Sequence, residues 1–152
     1  MFDIQSNVCM NVFFEQAGNL LYEHWEELAL NKEFIPLSPD KNKFKSLQDN
    51  GTLHNLVAYH NSNVIGYSIV FINPHIHYST SIVAHVDVIY VSKNYRGTSV
   101  GARLLIETEK TAKLNGAKVI THHAKEHVPN IVNPLKKLGY SLYENIYGKY
   151  IG

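Results

Sequence analysis

The chain has little with which to cross-link itself, span a bilayer or grip nucleic acid. It holds one cysteine, Cys9, so no internal disulfide can form; a reducing, cytoplasmic setting is the expectation. It has two arginines, Arg96 and Arg103, too few for the guanidinium forks that read a duplex. Net charge is only +1, which is not the balance of a protein that coats nucleic acid or an anionic membrane. No apolar run approaches the roughly 20 residues of a membrane span, and residues 1–14 lack the basic stretch and apolar centre of a signal peptide. Repeats, low-complexity tracts and Gly/Ser linkers are missing too. What remains is 152 residues with 45% apolar and 18% charged content, the profile of one globular domain spanning 1–152.

The apolar pattern divides the chain. Between 11 and 30, Phe13, Phe14, Ala17, Leu20, Leu21, Trp25 and Leu28 recur at steps of three and four, which predicts one amphipathic helix. Asp40 can cap a second helix running to about 48. From 53 the period becomes that of strands: 53–60 and 64–73 flank Asn61-Ser62-Asn63, a hairpin turn. Residues 81–91 form a long central strand, 100–115 a helix, 118–124 a strand and 129–138 a helix. Residues 2–5 read as a short first strand, and 140–143 with 147–151 as a closing pair. The helix between 91 and 118 makes the strands it joins parallel. The expected fold is therefore mixed α/β: six to seven strands, an antiparallel meander followed by two parallel strands, with helices on both faces.

The segment Tyr95-Arg96-Gly97-Thr98-Ser99-Val100-Gly101-Ala102-Arg103 joins the central strand to a helix. The first N–H groups of a helix have no helical acceptor. With the positive end of the dipole they form an anion site, beside which Arg96 adds a charge. A Rossmann-type nucleotide site is a poor fit, because Gly97 and Gly101 are not spaced Gly-x-Gly-x-x-Gly and an antiparallel meander precedes them.

This order of elements and motifs resembles the GNAT superfamily of acetyl-CoA-dependent N-acetyltransferases, over roughly 53–151. The resemblance is carried by Val57-Ala58-Tyr59 through Val64-Ile65-Gly66-Tyr67, Ile89-Tyr90-Val91 through Tyr95-Arg96-Gly97, Val100-Gly101-Ala102-Arg103-Leu104-Leu105, and Leu138-Gly139-Tyr140. The family's loop signature is Arg/Gln-x-x-Gly-x-Gly/Ala; here Ser99 replaces its first glycine. At negative φ, Ser99 can still offer its N–H to a diphosphate; at positive φ it would be strained. The resemblance implies that Arg96, Gly97, Thr98, Ser99, Val100, Gly101 and Ala102 hold the diphosphate of acetyl-CoA. It implies further that the backbone of Ile89, Tyr90 and Val91 pairs with the pantetheine arm beside two splayed parallel strands. Asn130 is the nearest stand-in for the family's arm-binding Asn, with Asn133 behind it.

For catalysis, strict alternation would put His85, Asp87, Ile89 and Val91 on one face and Val86, Val88 and Tyr90 on the other. A carboxylate and an imidazole inside a central strand need a reason, and Asp87 lies four before Val91, where many family members place a basic Glu. Asp87 is the first candidate base and His85 the second; either could instead be a satisfied buried group. Where the family often has a Tyr that protonates the departing thiolate, this chain has Leu135, so no acid is assigned. His122 and His123 must face opposite ways. Glu15, Glu23, Glu26 and Glu27 would form an acidic wall for a cationic acceptor, or simply a solvated helix face, with His24 and Trp25 at its buried edge. His75 and His77 have no carboxylate or cysteine to complete a metal set, so no metal is expected, and Cys9 reads as a buried thiol rather than an acyl relay. The expected reaction is direct acetyl transfer to a primary amine on a small molecule or protein. The alternatives are a non-catalytic CoA-binding module, or a transferase acting on RNA-bound amines through Lys41, Lys43, Lys45, Lys136 and Lys137. Nucleic acid and membrane are not expected partners. The Tyr-rich C-terminal strands could close a monomer or pair across a homodimer.

Overall fold

The computed structural model describes residues 1–152. In chain order the elements are β1 (Asp3–Ser6), α1 (Met10–Gln16), α2 (Gly18–Leu28), α3 (Lys41–Asp49), β2 (Leu53–His60), β3 (Asn63–His75), β4 (Tyr78–Val91), α4 (Val100–Leu114), β5 (Ala117–His122) and α5 (Val132–Lys137). Short 3-10 turns precede α4 and α5. The strands form one sheet in the order β1-β2-β3-β4-β5. The first three pairings are antiparallel and β4–β5 is parallel, as the helical crossover required.

Two apolar layers hold the sheet. On one face Met10, Phe13, Phe14, Ala17 and Leu20 from α1 and α2 pack on Leu53, Val57, Tyr67, Ile69 and Tyr90. On the other, Val100 and Leu104 of α4 pack on Leu56, Ala58 and Ile65, and Ala112 packs on Val70, Ala84 and Val86. The approach of α4 and β4 depends on Gly66, whose added Cβ would lie 2.9 Å from the Tyr90 carbonyl oxygen and 3.1 Å from Leu104 Cδ1.

Local chemistry explains most boundaries. Asp40 accepts a hydrogen bond from the Lys43 N–H and caps α3. Asn61 and Ser62 both have positive φ and close the β2–β3 hairpin in two residues, the geometry that suits the strand twist. The helix expected over 11–30 is two helices, α1 and α2, meeting at buried Ala17 just before Gly18. Glycine is among the poorest residues for continuing a helix. Cys9, expected to be buried, is exposed at the head of α1.

The C-terminus departs from expectation. Residues 140–152 contain no strand, so the sheet has five strands and β5 is its edge. A strand needs both a ladder partner and a covered face. Leu142, Tyr143, Ile146 and Tyr147 have neither and stay exposed. Tyr140 and Tyr150 do dock, Tyr140 against His122 and Glu109 and Tyr150 by stacking on Phe34 at 4.5 Å between ring centres.

Candidate functional site

The parallel pairing of β4 and β5 ends at Val86↔His122, yet β4 continues to Val91. Beyond that point β4 keeps its β3 partners, from Val88 opposite Ile69 to Val91 opposite Gly66. Its other edge has none. The sheet therefore opens between β4 and β5, and the backbone along Asp87–Val91 pairs with no second strand at the mouth of the gap.

The opening coincides with a bulge. Ile69 faces Val88 and Val70 faces Val86, leaving Asp87 as the extra residue. Such an insertion breaks alternation, and the expected face assignment is corrected accordingly. Ile89 and Val91 do not share a face with Asp87; they pack toward α4. Val88 joins Asp87 on the face toward α1 and α2. His85 lies on β4 before the bulge, where its Nδ1 shares a 2.6 Å hydrogen bond with Thr121 Oγ1 of β5.

At the far end of β4 the chain turns through Gly97, whose φ of +80° is accessible at low cost only to glycine. Ser99 has φ −77° and ψ −3°, so the serine in the signature-glycine position is unstrained. Arg103 N–H begins the α4 ladder by donating to Ser99. Val100 N–H has only a 3.4 Å contact with Thr98 Oγ1, and the N–H groups of Ser99, Gly101 and Ala102 have no backbone acceptor. These donors open the 15-residue α4, where the helix dipole favours an anion.

Arg96 sits differently from the loop amides. Its guanidinium makes two 2.7 Å hydrogen bonds to the Glu27 carboxylate of α2, and its Nε donates to the Val91 carbonyl at 3.0 Å. The bidentate pair holds the Glu27 carboxyl below its usual range. Tyr90 donates to Glu27 at 2.7 Å and lies 3.1 Å from Glu23. Burial, then the Glu27 hydrogen bond, pushes the Tyr90 phenol up, so it stays protonated. Arg96 thus ties α2, the end of β4 and the loop together. Glu23 and Glu27 are engaged in this brace, while Glu15 and Glu26 are exposed. None of the four lines the cavity described next, so the acidic wall does not form there.

Between α1, α2, α3 and the β3–β4 face lies a cavity of about 250 Å³, with Asp87 and Lys125 in its lining. Asp87 is exposed at the rim of this cavity, and packing around the carboxyl still pushes its pKa up, against the pull of His123 and Lys125. His24 stacks on Tyr90 at 4.5 Å and its Nδ1 meets the Tyr67 hydroxyl at 2.6 Å. Burial lowers its pKa to about 4, so it is neutral at pH 7. His123 is exposed toward Asp87, whereas His122 is packed near Glu109 and Tyr140. Leu135 is buried and Asn130 lies exposed in the turn before α5. No group of three or more His, Cys, Asp or Glu side chains comes together as a metal set. Glu27, expected in an acidic wall, is instead the partner of Arg96, and Lys125 carries no local mark of a site residue. Tyr67 looks like any strand core residue, and nothing local reveals that Glu27 meets a loop 69 residues away.

The sequence matches the Acetyltransferase (GNAT) family over residues 18–140. No curated protein sequence gives a match. Solved structures are similar across the whole chain at low identity. An aminoglycoside acetyltransferase from an uncultured soil metagenomic sample is 15% identical over 99% of this chain and 95% of its own, with a TM-score of 0.76. Ribosomal-protein-alanine N-acetyltransferase from Brucella melitensis biovar Abortus 2308 is 18% identical, covering 100% of both chains, with a TM-score of 0.75. Glucosamine-6-phosphate N-acetyltransferase from Arabidopsis thaliana is 16% identical over 100% of this chain and 99% of its own, with a TM-score of 0.72. At such identities the likeness speaks for the fold alone.

Proposed function

The chain belongs to the GNAT acetyltransferase family, and from that premise we propose that it moves an acetyl group from acetyl-CoA to a primary amine by direct attack in a ternary complex. The observation that carries the reading is the single track formed by three features. These are the free amides opening α4, the unpaired edge of β4 beyond Val86, and Asp87 where the sheet opens. In this reading the amides of Ser99, Gly101 and Ala102 take the diphosphate. The backbone of Ile89, Tyr90 and Val91 pairs with the pantetheine arm as an added strand would. Arg96 supports this loop through Glu27 instead of reaching the phosphates itself.

An alkylammonium of pKa about 10.4 is neutral in about one molecule in 2,500 at pH 7, a cost of about 4.6 kcal/mol. Asp87, directly or through a water, takes that proton. Its raised pKa makes it a stronger base than a free aspartate. The amine nitrogen then attacks the thioester carbonyl, whose oxygen gains negative charge facing a free N–H of the Ile89–Val91 edge. Collapse breaks the C–S bond and leaves the amide. The thiol's intrinsic pKa of about 8.5 lets it depart as thiolate and take its proton from solvent, since Leu135 has none to give.

The test is release of free thiol from acetyl-CoA over a panel of amines. Asp87→Asn is expected to lower kcat by about 10²–10⁴-fold, with acetyl-CoA affinity unchanged. In the parent, kcat/KM falls as pH drops through the raised Asp87 pKa, and the variant loses that limb. Full activity in Asp87→Asn would remove the base assignment. Coenzyme A binding with no transfer to any amine would leave only a binding module.

A further inference from the structure

The cavity beside Asp87 has a chemical character of its own. Eleven of its fifteen lining residues are hydrophobic, and the walls are aromatic. Phe14 meets Phe13 and Phe44 edge-on at 5.6 and 5.3 Å, with Trp25 and Tyr67 also in the lining. At about 250 Å³ it exceeds the roughly 150 Å³ that suffices for benzene, so it has room for one ring with a short chain. Its charges are sparse. Asp87 is the only carboxylate in the lining and Lys125 the only fixed cation, because buried His24 is neutral. One ammonium can therefore be met at the mouth, while a second would face Lys125. Hydroxyl groups pushed between these aromatic walls would lose their water without gaining partners.

We infer that the acceptor is a primary monoamine carried on a compact apolar body, best an arylalkylamine with one ring and a spacer of two or three carbons, rather than a sugar amine or a polycation. This rests on the acetyl-transfer reading above and specifies its second substrate. The ring occupies the cavity between α1, α2 and α3, and the spacer brings the nitrogen out to Asp87.

Trp25 is the only tryptophan of the chain and lines this cavity, so its emission reports occupancy without any reaction. Titration with phenethylamine is expected to change Trp25 fluorescence saturably at submillimolar concentration, and glucosamine and kanamycin are expected to leave it unmoved. In the thiol-release assay, kcat/KM for phenethylamine should exceed that for glucosamine and for kanamycin by about 100-fold. Phe44→Ala, on the half-buried face of α3, removes one ring from the wall. It should shift preference toward naphthylethylamine by at least tenfold, with the KM for acetyl-CoA unchanged and the fold checked by thermal unfolding. Transfer that favours glucosamine or kanamycin, with Trp25 silent to phenethylamine, overturns the acceptor class and leaves acetyl transfer standing. Saturable phenethylamine binding with no transfer sustains the cavity's ligand class and overturns the catalytic reading. A Phe44→Ala variant with unaltered preference overturns the placement of the ring.

Discussion

His122 gives the sharpest test of the physical argument, because its cost can be worked from its surroundings. Both ring nitrogens are buried without a hydrogen-bond partner. The ring meets Tyr140 edge-on at 5.1 Å, and the Tyr140 hydroxyl is spent on Glu109 at 3.0 Å. Burial lowers the His122 pKa from 6.5 to about 4; Glu109 opposes the shift and His123 adds to it. In the unfolded chain the group titrates near 6.5. The folded state therefore favours neutral imidazole. Its contribution to stability is complete above pH 6.5 and is lost as pH falls toward 4. At pH 4.5 that loss amounts to roughly 2–3 kcal/mol from this residue. His122→Phe keeps the edge-on contact and deletes the titration. Urea unfolding at pH 7 and pH 4.5 should show the variant losing roughly 2–3 kcal/mol less than the parent on acidification. At pH 7 it should be as stable as the parent or about 1 kcal/mol more stable, since two unpaired polar atoms are gone. His24, also lowered to about 4, and the carboxylates other than Glu109 remain in both proteins and cancel in the comparison. An equal acid loss in the two proteins, or a His122 resonance titrating near 6.5, would refute the reasoning.

Two glycines make opposite predictions. Gly66→Ala places a methyl 2.9 Å from a backbone oxygen in the centre of the sheet, so unfolding should show a loss of about 1–3 kcal/mol. Gly101→Glu meets only Val91 Cγ2 at an ordinary 3.7 Å. Its added carboxylate lies at the positive end of α4, so thermal stability should hold or rise slightly. Calorimetric binding of acetyl-CoA should nevertheless disappear; a variant that binds normally would mean that the diphosphate site is elsewhere.

Where the sequence was legible, the determinants were local. The Asp40 cap, the hairpin turn expected at Asn61-Ser62-Asn63 and formed by its first two residues, the parallel crossover around α4 and the strand-to-helix loop each follow from residues close in sequence. The misreadings share a different origin. The split of 11–30 at Ala17-Gly18 reflects packing of two short helices on β2 and β3. The missing C-terminal strands show that β-prone residues without a covered face remain irregular. The bulge at Asp87 is invisible to a rule of alternation, because the extra residue is defined only against its partner strand β3.

The same division runs through the site. Residue order alone determined that a helix start with free backbone donors would follow a long strand carrying His85 and Asp87, because dipole, amides and backbone period belong to contiguous chain. Tertiary structure decided everything that depends on distant segments meeting. It gave Arg96 to Glu27 and turned Ile89 and Val91 away from Asp87. It also formed an aromatic pocket between helices and strands that are far apart in sequence. Free backbone donors are set by the chain's own geometry. Side-chain partners and cavity walls are set by packing, and packing has no period to read.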